Sequence, residues 1–118
     1  MSNLRFRVFR NNKNNISLVV YYNEDKVIAK FSTVYIDWEK KHIINMGIRL
    51  HPDYCNKGYG TQLLKDISNW YFNQGIIKIQ FDVLSTNNCA IKCYKNAGYK
   101  ITGEFYREND KFLWMESS

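Results

Sequence analysis

The chain has 118 residues, 45% of them hydrophobic and 24% charged. That composition suits a single compact domain over 1–118 and excludes a disordered chain. Seventeen Lys and Arg against eleven Asp and Glu give a formal charge of +6, so anions are the partners to expect: nucleic acid, an acidic protein surface or a phosphorylated cofactor.

The longest apolar runs fall far short of the roughly 20 residues that a membrane span needs. The first residues carry no apolar stretch of the secretory kind. Cys55, Cys89 and Cys93 form no CxxC pair and have no histidine cluster beside them, which argues against a disulfide framework or a structural metal. A reducing, cytoplasmic setting without membrane contact is the expectation.

Leu4, Phe6 and Val8 alternate with Arg5 and Arg7, which predicts a strand. A polar turn, Asn11 to Asn15, follows. Ile16–Tyr22 and Val27–Ile36 are β-branched and aromatic and predict a hairpin. Beyond a charged turn, Ile43–Leu50 predicts a fourth strand. Pro52 then ends strand patterning. Leu63, Leu64, Ile67, Trp70 and Tyr71 lie on one helical face, with Gly75 as the stop. Ile77, Ile79, Phe81 and Val83 alternate with Lys78, Gln80 and Asp82, a strand with one wet face. Ser85 to Asn88 offer N-capping side chains to a second helix through Ala90, Ile91, Cys93, Tyr94 and Ala97, stopped at Gly98. Tyr99–Phe105 and Phe112–Met115 predict the last two strands. The order is ββββ-α-β-α-ββ.

Gly58-Tyr59-Gly60, between a strand and a helix, is a place where an anion is favoured. The first helical turn has amide N–H groups without intrahelical acceptors, and the helix dipole adds positive charge there. Glycines let a phosphate approach the backbone closely. Lys57 and Thr61 would add a cation and a hydroxyl. Plain helix capping explains the same glycines. The run is neither a P-loop nor a full GxGxxG fingerprint, since Leu63 stands at the third glycine position.

Two longer segments narrow the choice. Gly47 to Thr61 (GIRLHPDYCNKGYGT) resembles the cofactor motif Q/R-x-x-G-x-G/A of the GNAT (Gcn5-related) N-acetyltransferases. Asn87 to Tyr99 (NNCAIKCYKNAGY) is similar to that family's second motif, N-x-x-A-I-x-x-Y-x-x-x-G-F/Y. They occur in the family's order and spacing, within a resemblance covering roughly residues 43 to 116.

The resemblance implies an α+β, GNAT-like fold: a mixed, mostly antiparallel sheet of about six to seven strands flanked by two helices. It implies acetyl-CoA, or another short acyl-CoA, as co-substrate, an amine acceptor and no metal. The backbone of Cys55, Asn56, Lys57, Gly58, Tyr59, Gly60 and Thr61 would hold the pyrophosphate. Ile48 and Leu50 would pair with the pantetheine arm between two splayed strands, and an N–H near Met46 to Ile48 would polarise the thioester. Tyr94 would protonate the departing thiolate; a buried aromatic on an apolar helix face is its other reading. Asn87 would bond the pantetheine arm, cap the helix, or do both.

The chain departs from the pattern at three places. Cys55 stands at the Q/R position, a reactive thiol or a buried inert one. Asn45 stands where many relatives carry a glutamate base; water, a carbonyl, His42 or His51 would have to serve. Only residues 11 to 15 lie where the family places two helices, leaving an acceptor side that is open or completed by a second subunit, as in a homodimer. Tyr21, Tyr35, Trp38, Phe105, Tyr106 and Trp114 are candidate exposed aromatics for such a contact. Two rival readings are a non-catalytic acyl-CoA-binding protein on the same scaffold and, weakest, a basic nucleic-acid module stacking bases on Tyr21, Tyr22 and Phe31.

Overall fold

In the computed structural model of the chain, the backbone is described for residues 4–11, 16–23, 26–50 and 58–118, and side chains for 27, 29, 30, 36–49 and 58–118. Seven strands form one sheet in the order β1-β2-β3-β4-β5-β7-β6. They are β1 (Leu4–Asn11), β2 (Ile16–Asn23), β3 (Lys26–Asp37), β4 (His42–Leu50), β5 (Lys78–Leu84), β6 (Lys100–Arg107) and β7 (Asp110–Ser117); helices α1 (Tyr59–Asn73) and α2 (Asn88–Asn96) flank β5 in sequence. β1 pairs directly with β2, from Leu4↔Asn23 to Asn11↔Ile16. Four residues between them leave no room for intervening helices.

Every neighbouring pair is antiparallel except β4 and β5, whose pairing comprises only His42↔Lys78 and Ile43↔Ile79. A right-handed crossover through α1 is the ordinary way to join two parallel strands. Beyond Ile43 and Ile79 the two strands diverge, and the sheet opens.

The core lies on one face of the sheet. Burial in β5 alternates, with Ile79, Phe81 and Val83 buried beneath Leu63, Leu64, Ile67 and Tyr71 of α1 and Cys93 and Tyr94 of α2. Phe81 packs edge-on against Tyr94 at 4.9 Å and tilted against Tyr99 at 4.6 Å. Removing a ring so placed costs about 3–5 kcal/mol in comparable cores.

Both helices end the same way. Gly75 (φ 100) and Gly98 (φ 98) take left-handed backbone. Ile76 N–H then donates to Tyr71 O at 3.1 Å, and Tyr99 N–H to Tyr94 O at 3.0 Å. This is the Schellman pattern, which joins a buried residue after the glycine to one in the last turn. The predicted stops at Gly75 and Gly98 are therefore correct.

The register shifts at four places in the sheet, and the shifts in β6 and β4 break the period-two reading where it bears on the site. In β6 the register shifts between Ile101 and Gly103, so Ile101 opposes Met115 while Gly103 and Phe105 lie on the other face. Sequence alternation had put all three together; Ile101 is instead 43% exposed. In β4 the register steps past Ile44. Ile43 and Met46 are both buried, and Ile44 is 40% exposed. One inserted residue changes the phase of a strand, and periodicity alone cannot see it.

Tyr99 and Ile77, read as strand residues, lie just outside β6 and β5. Of the aromatics expected at the surface, Trp38 and Tyr106 are exposed, but Phe105 and Trp114 are half-buried because they stack within the sheet. The side chains of Tyr21, Tyr22, Phe31 and Tyr35 lie outside the described ones. No helix among the described residues is long and apolar enough to cross a membrane.

Candidate active site

The opening between β4 and β5 is built from backbone. Its walls are Asn45 to Leu50 on one side and Gln80 to Leu84 on the other, with no ladder between them. A sheet interrupted this way offers donors and acceptors to an extended ligand that carries amides of its own. Ile48, half-buried and packed on the core, and Leu50, the last residue of β4, stand on this wall.

The N-terminus of α1 lies beyond the end of β4. Gly58 is its N-cap, with φ 79, and no side chain among the described residues caps the helix. Gln62 N–H donates to Gly58 O at 3.1 Å, the first bond of the helical ladder, so the N–H groups of Gly60 and Thr61 have no acceptor within the helix. No acidic residue occupies the first turn, so none within it compensates the positive end of the helix dipole. Gly60 is buried. Cys55, Asn56 and Lys57, the rest of the proposed pyrophosphate turn, lie outside the described residues, as does His51.

In sequence, Thr61 reads as a hydroxyl available to an anion. It donates instead to the Cys93 carbonyl at 3.3 Å and lies 3.6 Å from Cys93 Sγ. Its hydroxyl thus fastens the first turn of α1 to α2, and only its N–H faces the anion question. The same contact lowers the Cys93 thiol pKa slightly, but burial outweighs it and pushes that pKa up.

Asn87 caps α2. Its Oδ1 accepts from Ala90 N–H at 3.2 Å, the capping role that sequence placed beside a ligand role. The side-chain amide group, on an exposed residue, is not used by the cap.

Tyr94 is 8% exposed and lies in the last turn of α2, against Phe81. Burial, with a smaller contribution from Cys93, pushes its phenol well above the ordinary value, so it stays protonated wherever amines are reactive. Its hydroxyl has no hydrogen-bond partner among the described residues. Tyr99 differs: its hydroxyl is 2.7 Å from Ser68 Oγ and is spoken for.

The described cysteines differ in state. Cys93 is a free, buried thiol, whereas Cys89 is disulfide-bonded. The odd count without a CxxC pair argues against a disulfide framework, and a single bonded cysteine is not one; whether two cysteines pair depends on proximity in space rather than spacing in sequence. Such a bond would be reduced in the cytoplasmic setting that the sequence suggested. No cluster of three or more metal-ligating side chains exists among the described residues.

The geometry accords with known proteins. The chain is 30% identical over 84 residues to an uncharacterised N-acetyltransferase of Methanocaldococcus jannaschii, a match covering 68% of this chain and 53% of that protein. It is 28% identical over 82 residues to thialysine N-epsilon-acetyltransferase of Mus musculus, covering 70% and 45%. The chain thus spans about half the length of the curated relatives it matches. A crystal structure of spermidine N-acetyltransferase from Vibrio cholerae in complex with CoA and spermine superposes with a TM-score of 0.81 at 15% identity, covering 99% of this chain and 96% of that one; at that identity the likeness is one of fold. The model of the Acetyltransferase (GNAT) family matches residues 2–99. That match takes in most of the sequence, and the chain belongs to the GNAT acetyltransferases.

Proposed function

We propose that the protein transfers an acyl group, acetyl in the first instance, from coenzyme A directly to a primary amine within a ternary complex. The observation that carries this reading is the divergence of β4 and β5 beyond Ile43 and Ile79, immediately before an α1 N-terminus without a side-chain cap among the described residues. The opening suits the two amides of pantetheine, and the turn suits the diphosphate. Relatives named for spermidine and thialysine favour an amine acceptor.

The chain's residues would then act as follows. β4 main-chain groups at Ile48 and Leu50 hold the arm extended. An N–H between Met46 and Ile48 hydrogen-bonds the thioester oxygen as negative charge develops on it. The neutral amine attacks the carbonyl carbon, a C–N bond forms, and the C–S bond breaks. Tyr94 donates its phenolic hydrogen bond to the departing sulfur. Because burial raises its pKa, full proton transfer to a thiolate of ordinary pKa, roughly 8.5, is uphill, and stabilisation in place is its main contribution. Asn45 accepts no proton at neutral pH, so the amine's proton leaves through water.

Asn45 also favours a second reading, an acyl-CoA-binding protein without turnover. The test is calorimetry with acetyl-CoA, followed by an amine panel monitored for free thiol. Binding with amine-dependent thiol release supports the enzyme, binding without release supports the second reading, and no binding at millimolar ligand overturns both.

A further inference from the structure

The strand pairing sorts side chains onto two faces, because residues directly opposed in an antiparallel pair point the same way. Asp82 opposes Trp114 and Leu84 opposes Phe112. Phe112 in turn opposes Phe105, and Trp114 opposes Gly103. This face is the reverse of the one bearing Ile79, Phe81, Val83 and Met115, and no helix among the described residues covers it. The bulge at Thr102 brings Phe105 round to it. The phase change at Ile44 places Asn45 on it as well, across the opening between β4 and β5.

The face has a definite chemistry. Phe105 stacks on Phe112 with centroids 5.3 Å apart and lies tilted to Trp114 at 4.9 Å. The Arg107 guanidinium carbon sits 5.4 Å from the Phe105 centroid and 4.8 Å from that of Phe112. Its Nη2 is 3.9 Å from Asp82 Oδ2. Ring quadrupoles and a carboxylate therefore converge on one position, and a cation occupies it. The carboxylate is the sheltered partner, at 18% exposure, while the arginine side chain is 61% exposed. The distance is long for a charge-assisted hydrogen bond, and a pair so exposed is held weakly.

Resting on the acyl-transfer reading, we propose that Asp82, backed by Phe105, Phe112 and Trp114, seats a second, positively charged group of the acceptor, an alkylammonium, and that Arg107 holds the seat until the acceptor displaces it. The reacting amine must be neutral to attack, so charge recognition has to act on a different group of the same molecule. Asp82 lies three residues past the last β4–β5 pair, beside the opening and on the face where the glutamate position, Asn45, also lies. The seated ammonium takes no part in bond making, and its protonation is unchanged.

The test compares cadaverine with pentylamine, equal in chain length and different by one terminal ammonium. The wild type should show a KM for cadaverine about tenfold or more below that for pentylamine, the equivalent of one well-placed cation contact. Asp82→Asn should close that gap by raising the cadaverine KM alone, with kcat and the acetyl-CoA KM held. Arg107→Gln should lower the cadaverine KM. Equal KM values in the wild type, a parallel rise for both amines in Asp82→Asn, or a rise for cadaverine in Arg107→Gln would each overturn the proposal. A readout independent of turnover is the Trp114 indole N–H resonance, titrated with cadaverine in the presence of CoA. A shift in the wild type that is lost in Asp82→Asn supports the seat, and an unmoved resonance at millimolar cadaverine refutes it. If calorimetry detects no acetyl-CoA binding, the acyl-transfer reading fails separately, and the indole resonance still decides the seat.

Discussion

Ser68 and Tyr99, 31 residues apart, share a hydrogen bond of 2.7 Å between their hydroxyls, which joins the middle of α1 to the residue that follows α2. Tyr94, five residues earlier and joined to Tyr99 by the Schellman bond, also packs on Phe81, but its hydroxyl has no such partner among the described residues. The two tyrosines should therefore separate on mutation. Tyr99→Phe leaves the Ser68 hydroxyl buried and unpaired, and should lower stability by about 1–3 kcal/mol with little change in kcat. Tyr94→Phe should leave stability within about 0.5 kcal/mol. It should reduce kcat by about a hundredfold or more at unchanged acetyl-CoA affinity. Urea titrations and thiol-release kinetics on the two variants check this; equal kcat losses would remove Tyr94 from the chemistry.

The same pair sets an alkaline limit on stability. Burial raises both phenols above the ordinary value near 10. The unfolded chain therefore loses these protons first, and the folded state binds more protons above pH 10. Stability that is fully present below about pH 10 should fall as pH rises toward the folded values, by up to about 1.4 kcal/mol per pH unit for each tyrosine. Tyr94→Phe removes one of the two contributions. Its urea midpoint should decline less steeply than the wild type's between pH 9.5 and 11, and parallel declines would contradict the assignment.

Most of the architecture was legible in the sequence because each element carries its own local signal. The alternation in Lys78 to Leu84, the helical faces of Leu63 to Tyr71 and Ala90 to Tyr94, and the glycines at 75 and 98 need no tertiary context. The bulges in β4 and β6 were not legible. Their effect is a phase change imposed by a neighbouring strand, and it decides which face receives Phe105 and Asn45. Likewise Thr61 reads as a ligand hydroxyl in sequence, and only the packing of α1 on α2 shows that Cys93 takes it. Asp82 was recognised as a wet-face residue, but its aromatic and arginine neighbours come from β6 and β7, and no spacing rule could have joined them.

Two glycines at opposite ends of α1 provide a matched test of the anion turn. Gly58 (φ 79) and Gly75 (φ 100) are both left-handed, and a Cβ at either would meet nothing within 4 Å. Alanine at each position carries only the backbone penalty, about 1–2 kcal/mol. Both variants should lose similar stability in urea. Only Gly58→Ala should also weaken CoA binding in calorimetry, because its methyl enters the space through which a phosphate approaches the first-turn N–H groups. Equal CoA affinity in the two variants would place the diphosphate elsewhere.

Asn87 offers the last separation, between a cap and a ligand contact. Its Oδ1 accepts from Ala90 N–H, so Asn87→Ala should lose about 1 kcal/mol of stability through an uncapped α2. Asn87→Asp keeps a capping oxygen and adds negative charge at the positive end of the helix dipole, so stability should hold or rise slightly. The carboxylate has no N–H to donate, however, and it cannot reproduce an amide's bond to a pantetheine carbonyl. Acetyl-CoA affinity should therefore fall in both variants, although only the alanine destabilises the fold. Should the aspartate bind acetyl-CoA as tightly as the wild type, Asn87 is a cap and nothing more, and the arm is held by the β4 backbone alone.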